Sequence, residues 1–344
     1  MKILLIGGTQ FLGRHLVTAA QVQGHEVTLF HRGRHPSHGL TDVEELYGDR
    51  NDGLGTLRHR HWDAVIDTCG YVPQTVMASA NALRDAVEQY AFISSASVYT
   101  QARPANYPET TDLAALTAEQ AAQAQQLDAK ADLTGRALGS MYGPLKALCE
   151  QQVQQVFGER ALLVRPGVLV GPYDPTDRFT YWVDRIARGG DVLAPGRADR
   201  FVQFIDARDV ADWVVRQVEK RVGGAYNVNG KPLTLTFAHM LATMKAVSRS
   251  NAACTWVSDA FLQQEQVKEW SELPLYVAES TPHIAGFMSA NVDRALDQGL
   301  AFHPLEQTIL DTLAWRATQK DPLKAGLSPA REREVLAKYA LLER

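Results

Sequence analysis

The chain has 344 residues, 45% of them hydrophobic, and a formal net charge of −4. That size fits one large globular unit or two closely packed ones with a real core, and the mild negative charge excludes a global basic field that would recruit nucleic acid. Three scattered cysteines (Cys69, Cys149 and Cys254) imply neither a disulfide framework nor a metal site, and no apolar run approaches the length of a membrane span, so the expectation is a cytoplasmic protein.

Residues 2–6 (Lys2-Ile3-Leu4-Leu5-Ile6) read as a buried strand ended by glycine. The turn Gly7-Gly8-Thr9-Gln10-Phe11-Leu12-Gly13 follows, and residues 11–22 have helical spacing with Leu12, Leu16, Ala19 and Ala20 on one side. A strand, a glycine-rich turn and a helix start form a phosphate cradle. Glycine lets backbone N–H groups approach a pyrophosphate, and the helix N-terminus adds partial positive charge. The alternative is an ordinary tight turn; its place in a strand–helix–strand pattern favours dinucleotide binding. A second strand at residues 26–30 runs into His31-Arg32-Gly33-Arg34. An acidic residue there would hold the ribose 2′-hydroxyl of NAD, whereas Arg32 matches a 2′-phosphate, so NADP is expected over NAD.

Residues 43–47 form a third strand, and Asp49 and Arg50 after it are placed to flank an adenine or to make a plain turn. The fourth strand, 64–67, ends in Thr68-Cys69-Gly70, where Gly70 is set to lie along the cofactor. A helix over 73–86 and a fifth strand over 90–93 lead into Ser94-Ser95-Ala96-Ser97-Val98-Tyr99. Strands alternating with helices imply an α/β fold with a doubly wound parallel sheet, and ligands bind at the carboxyl ends of its strands. The serine cluster falls there, with Ser94 as a cofactor contact and hydroxyls able to polarise a carbonyl, or simply to cap the next turn. His59-Arg60-His61 lacks partners at ligand spacing and reads as a surface turn, so no metal is expected.

The Ala/Gln-rich run 113–131 has a helical, solvated composition and is a candidate cover for the mouth of the site. A helix over 142–157 follows, with Leu145, Leu148, Val153 and Val156 available for the core. It opens with Tyr142 and Lys146, four apart and hence on one face. A free phenol has a pKa of about 10, and a nearby cation lowers it, so this pair can form a proton-transfer centre. A sixth strand covers 161–164. Further on, Phe179, Trp182, Val183 and Ile186 make one apolar face of a helix whose arginines face water, with Arg178 as a candidate substrate contact. Helices over 293–300 and 305–315 close the chain. Ser328-Pro329 starts a last helix, whose mixed charge reads as solvated.

The glycine turn, the serine cluster and Tyr142/Lys146, in that order, resemble the short-chain dehydrogenase/reductase superfamily in its extended form, typified by nucleotide-sugar epimerases and dehydratases. The Gly-Gly-Thr-x-Phe-Leu-Gly turn and His-Arg-Gly resemble an atypical branch that includes chloroplast stem-loop RNA-binding proteins. The resemblance implies a Rossmann domain over 1–172, with 201–222 returning to it. It implies a smaller, interleaved C-terminal substrate lobe from 173–200 and 223–316, leaving 317–344 as a tail helix. It implies Ser95 as the serine that orients the substrate oxygen, Tyr142 as general acid/base, and Lys146 as the residue that binds the nicotinamide ribose. Pro166 and Gly167 would lie near the nicotinamide, and Ser97 near the substrate. Gln10 replaces the usual middle glycine and is expected to crowd the pyrophosphate. The implied function is an NADP-dependent reductase or epimerase acting on a small molecule, with a sugar nucleotide as one substrate class and a homodimer as the candidate assembly. The alternative is a non-catalytic NADP-binding regulatory or RNA-associated protein.

Overall fold

Short apolar strands alternating with amphipathic helices build the first half of the computed structural model, which describes residues 1–35, 37–52, 54–57, 59–128, 131 and 133–342. In order come β1 (Lys2–Ile6), α1 (Phe11–Val22), β2 (Glu26–His31), β3 (Val43–Tyr47), β4 (Trp62–Asp67), α2 (Pro73–Leu83), β5 (Val87–Ile93), α3 (Ala118–Ala124), α4 (Gly135–Leu138), α5 (Tyr142–Phe157) and β6 (Ala161–Pro166). The second half holds β7 (Val168–Val170), α6 (Arg178–Ala187), β8 (Asp191–Pro195), β9 (Phe201–Val202), β10 (Phe204–Asp206), α7 (Ala207–Glu219), β11 (Gly224–Val228), β12 (Leu235–Thr236), α8 (Phe237–Ser248), β13 (Ala253–Val257), α9 (Asp259–Gln264), α10 (Asp293–Asp297), α11 (Leu305–Ala317) and α12 (Pro329–Leu342). Among the described residues no helix is long and apolar enough to cross a membrane.

Seven parallel strands form the central sheet in the order β11-β6-β5-β4-β1-β2-β3. The chain winds outward from β1 to β3 and then returns to place β4 on the other side of β1. Ile6 is in register with Phe30 on one side and Asp67 on the other, so three carboxyl ends stop at one level where the winding reverses. That reversal opens a crevice. Helices cover both faces, as a parallel sheet requires. On one face Leu16, Val17 and Ala20 of α1 pack with Val210, Trp213 and Val214 of α7. On the other, Val76 and Ala80 of α2 pack with Cys149, Val153 and Phe157 of α5. A separate apolar cluster gathers Phe179, Trp182, Ile186, Phe237 and Met240.

Three expectations change. The helix read over 113–131 contracts to Ala118–Ala124. Its start is drawn off because Leu113 bridges to Tyr99 and the Ala114 N–H donates to the Val98 carbonyl, and the helix then begins at a Thr117/Gln120 capping box. Residues 129 and 130 of that run lie outside the described residues. Leu148 and Val156 are only partly buried on α5, while Lys146, Cys149 and Glu150 take the buried face. The helix can bury its two charges because each is satisfied: Arg165 grips Glu150 from Nε at 3.0 Å and from Nη2 at 2.7 Å, and the Lys146 ammonium donates to two backbone carbonyls.

The last helix is solvated on its outer side, but its inner face is anchored. Ser328 caps it as expected, accepting from the Arg331 N–H at 3.2 Å. Val335 is fully buried, and Glu332 reaches inward to Arg185 of α6 at 2.6 Å while accepting from the Leu193 N–H at 3.1 Å. Arg185, read as facing water, is thus the inner half of a buried ion pair. Removing one partner leaves an uncompensated buried charge. Glu332→Ala should therefore lower the unfolding free energy by about 3–5 kcal/mol in urea titrations, whereas an exposed pair such as Arg188–Asp184 should contribute about 0–1 kcal/mol. Equal losses from the two would contradict this account of α12.

Candidate active site

The crevice at the carboxyl ends of β1, β2, β4 and β5 is a cleft of about 450 Å³. Its floor is the glycine turn. Gly7 and Gly8 have φ of 92° and 88°, and a Cβ on Gly13 would sit 2.4 Å from the Gly8 Cα. Side chains are therefore excluded where the chain passes closest to the cleft. Gln10 holds extended backbone at φ −123° and gives α1 no side-chain cap, and no acidic residue sits in the first turn. The Gly13 N–H donates to the Gln10 carbonyl at 2.8 Å, so the N–H groups of Phe11 and Leu12 are the ones left for a ligand, and Thr9, Phe11 and Leu12 complete the wall. Gln10 is exposed at the cleft rim, and its backbone conformation is one that any side chain tolerates.

Arg32 and Arg34 stand exposed at one end of the cleft. The structure adds a carboxylate to this basic corner. Burial opposes ionisation of Asp49, but hydrogen bonds from Asn51 and the charges of Arg32 and Arg34 hold its carboxyl below the usual value. Arg50 borders the cleft, yet its guanidinium turns inward. Nη1 and Nη2 donate to Asp67 at 3.0 and 2.7 Å, and Nε donates to Ser79 at 3.1 Å. It is a buried ion-pair member, not an adenine flank. The sequence concealed this because Asp67 lies within an apolar strand and 17 residues away.

Ser94 is 4% exposed, lines the cleft and has no hydrogen-bond partner for its hydroxyl among the described residues. Ser95 both caps and faces the site: its Oγ accepts from the Ser97 N–H at 3.1 Å, and its side chain favours the ionised form of the Tyr142 phenol. Ser97 is exposed and is not part of the cleft lining, though its backbone matters. A Cβ on Gly143 would lie 2.0 Å from the Ser97 carbonyl oxygen, so only glycine lets α5 start this close to the serine turn.

Tyr142 rests against Gly135 of α4 and 6.3 Å from the Tyr71 ring. Burial raises its pKa; the Ser95 hydrogen bond and the charge of Arg178 act the other way. Lys146 has a different environment from the one its spacing implied. Its ammonium donates to the Gly70 and Ile93 carbonyls at 2.9 and 2.6 Å and lies 4.2 Å from the centre of the Phe92 ring. Gly70 thus serves as an anchor for Lys146. Burial lowers the pKa of Lys146 itself.

Pro166 and Gly167 line the cleft opposite the glycine turn, and Asn229 packs so closely on Gly167 that a Cβ would lie 2.0 Å from its side-chain nitrogen. Tyr71, Leu133 and Thr134 are cleft residues that the sequence reading missed. Thr134 sits just beyond the Ala/Gln-rich run; the run's end, not a helix, reaches the mouth. The Thr-x-x-Ala cap that starts α4 was its only local signal.

A model of the NAD dependent epimerase/dehydratase family matches residues 3–229. The chain is 26% identical over 250 residues to the chloroplast stem-loop binding protein of 41 kDa b of Arabidopsis thaliana, covering 67% of this chain and 59% of that relative's length. Among solved structures it resembles the UDP-glucuronic acid 4-epimerase of Bacillus cereus in complex with NAD, at 14% identity and TM-score 0.63 over 92% of this chain and 98% of the other. It also resembles the UDP-N-acetylglucosamine 4-epimerase of Methanobrevibacter ruminantium M1 in complex with UDP-N-acetylmuramic acid, at 16% identity and TM-score 0.64 over 93% and 99%. At these identities the structural likeness is one of fold.

The Arg50–Asp67 pair behind the cleft makes a separate prediction. Burial opposes ionisation of Asp67, but Arg50 and a hydrogen bond from Tyr90 at 2.7 Å hold its carboxyl below the usual range. A lowered folded pKa contributes stability above the unfolded value of about 4 and loses it as the pH falls through the folded value. Asp67→Asn should cost about 3–5 kcal/mol at neutral pH and flatten the loss of stability below about pH 4. Parallel pH–stability curves for variant and wild type would sink the assignment.

Proposed function

The chain belongs to the NAD dependent epimerase/dehydratase family, and from that premise we propose that it is an NAD(P)-dependent oxidoreductase or epimerase acting at a hydroxyl- or carbonyl-bearing carbon. The carrying observation is the convergence, in one cleft, of an uncapped helix start behind two positive-φ glycines, the unpartnered buried Ser94 hydroxyl, and Tyr142 facing Ser95. These features fit a dinucleotide: the turn admits a pyrophosphate where a Cβ would clash, and the helix start faces it.

A bound nicotinamide would supply the hydride chemistry. Tyr142 moves the proton of the substrate hydroxyl, and Ser95 holds that oxygen. Positioned proton transfer of this kind contributes about 10²–10⁴-fold. Lys146 uses two of its three donors on the Gly70 and Ile93 carbonyls, and the third serves the cofactor ribose. In net reduction Tyr142 gives its proton to the product oxygen; in epimerisation it takes the proton and gives it back. Segments 173–200 and 223–316 carry the substrate, and nucleotide sugars are the first class to screen. Arg32 and Arg34 favour NADP, with Asp49 offsetting part of their charge. The scattered thiols fit a cytoplasmic location.

The Arabidopsis relative's name supports a second reading, in which the chain holds a nucleotide without turnover and associates with RNA. A specific RNA complex would weaken steeply as salt rises.

Titration with NADPH and NADH, followed by nicotinamide fluorescence, should saturate for both, with NADPH tighter. Failure of both to bind overturns the reading. Exchanging Arg32 for Asp should cut the NADPH preference by about tenfold or more; an unchanged ratio removes the cofactor argument. On a substrate found by the screen, Tyr142→Phe should keep cofactor affinity and lose about 10²–10⁴-fold in kcat, and undiminished turnover would dismiss Tyr142 as the proton carrier.

A further inference from the structure

One aromatic ring at the reacting end of the cleft has no part in the proposed chemistry. Tyr71 follows Gly70 in the turn between β4 and α2, is half-buried and lines the cleft. Its ring centre lies 5.3 Å from the Lys146 ammonium and 6.3 Å from the centre of the Tyr142 ring, so it reaches both members of the pair that opens α5. Its hydroxyl has no hydrogen-bond partner among the described residues, so the backbone, not the hydroxyl, sets the ring in place. A Cβ on Gly70 would sit 2.5 Å from the Phe92 ring and 2.7 Å from Val76. Glycine therefore lets the turn lie directly on Phe92 and carry Tyr71 across to the lysine.

Lys146 is a buried cation that makes no ion pair among the described residues. The titratable groups facing it are Cys149 and Glu150 of α5, Asp67 at the end of β4, and Cys69 in the turn after it. Both carboxylates are engaged elsewhere: Glu150 with Arg165 and Asp67 with Arg50, each at 2.7 Å. Both thiols are held in the neutral form by burial, Cys149 being pushed up to about 12. What surrounds the ammonium instead is two carbonyls and two rings. Phe92, fully buried on β5, lies 4.2 Å away, and Tyr71 stands on the side of the cleft. A cation within about 6 Å of a ring centre is attracted to the ring face, more strongly where water is excluded. The rings thus do for the charge what a counterion does in other buried sites.

We infer that Tyr71 is a positioning residue, whose ring closes the cleft side of an aromatic cage that holds the Lys146 ammonium in place, with its third donor left for the cofactor. This rests on the reading in which that donor serves the ribose, and it deepens that reading by naming what holds the lysine there. Tyr71 acts through Lys146 and needs no contact with the reacting atoms. The face of its ring is required, and its hydroxyl is not.

The test follows the Cε resonance of Lys146 by NMR in protein carrying isotope-labelled lysine, assigned through Lys146→Arg, as the pH is raised. The ring face favours the charged amine, so its loss should lower the midpoint of the titration. In Tyr71→Leu, which keeps apolar bulk without a ring, the midpoint should fall by about one pH unit. Tyr71→Phe keeps the face and should titrate as wild type does. Tyr71→Ile should repeat the fall, and stands in for the leucine variant if that one does not fold. NADPH affinity, read by nicotinamide fluorescence, should drop about tenfold in Tyr71→Leu and hold in Tyr71→Phe. Equal midpoints in wild type and the leucine or isoleucine variant overturn the inference. So does a Tyr71→Phe midpoint as low as that of leucine, because the hydroxyl would then be the group at work. A lowered midpoint in Tyr71→Leu, with a Lys146 resonance that ignores added NADPH in wild type, keeps the cage and removes the ribose reading. Equal midpoints with a resonance that responds to NADPH give the reverse.

Discussion

The arrangement of the cleft depends on one buried cation. Lys146 is 2% exposed, and its ammonium joins the carbonyl of Ile93, the last residue of β5, to that of Gly70 in the turn after neighbouring β4. Burying an ammonium is costly unless its donors are met. Here backbone carbonyls meet two of them, and the Phe92 ring offers its face to the charge. The same lysine belongs to the helix that begins with Tyr142. Its clasp on β4 and β5 therefore fixes where that helix starts, and with it the height of the phenol above the carboxyl edge of the sheet.

Most of the nucleotide half was legible in the sequence. The limits of β1, α1, β3 and α5 coincide with the stretches read from apolar spacing and glycine punctuation, because local pattern and final environment agree there. The parallel sheet followed from strand–helix alternation. Charged side chains were the residues that misled. Arg50, Arg185 and Glu332 look like solvent-facing residues by type, yet each is buried with a partner. Arg185 and Glu332 are 147 positions apart in sequence. No local window can see such a pairing. The same holds for Lys146: helical spacing placed it on the face of Tyr142, but only the strand ends reveal where its long side chain goes.

The Ala/Gln-rich stretch failed for a different reason. Alanine and glutamine are good helix formers, and composition alone favoured one long helix. Tertiary hydrogen bonds to the serine turn took its first residues, leaving a seven-residue helix that buries none of its residues. What remains leads the chain to the mouth of the cleft and delivers Leu133 and Thr134 there. A segment that reads as filler thus supplies one wall of the site.

The meeting of Gly143 with the Ser97 carbonyl sets how the site can adapt. Because backbone touches backbone at that point, the serine turn and the start of α5 behave as one solid piece, and the spacing between Ser95 and Tyr142 owes little to side-chain rotation. A bulkier or differently shaped substrate cannot be admitted by spreading these two apart. Room has to come from the facing side, where Gly135 of α4 meets the Tyr142 ring rather than backbone. Divergence in what the cleft admits, by evolution or by design, is therefore channelled to residues 133–138 and 173–178, while the spacing of Ser95 and Tyr142 stays as it is.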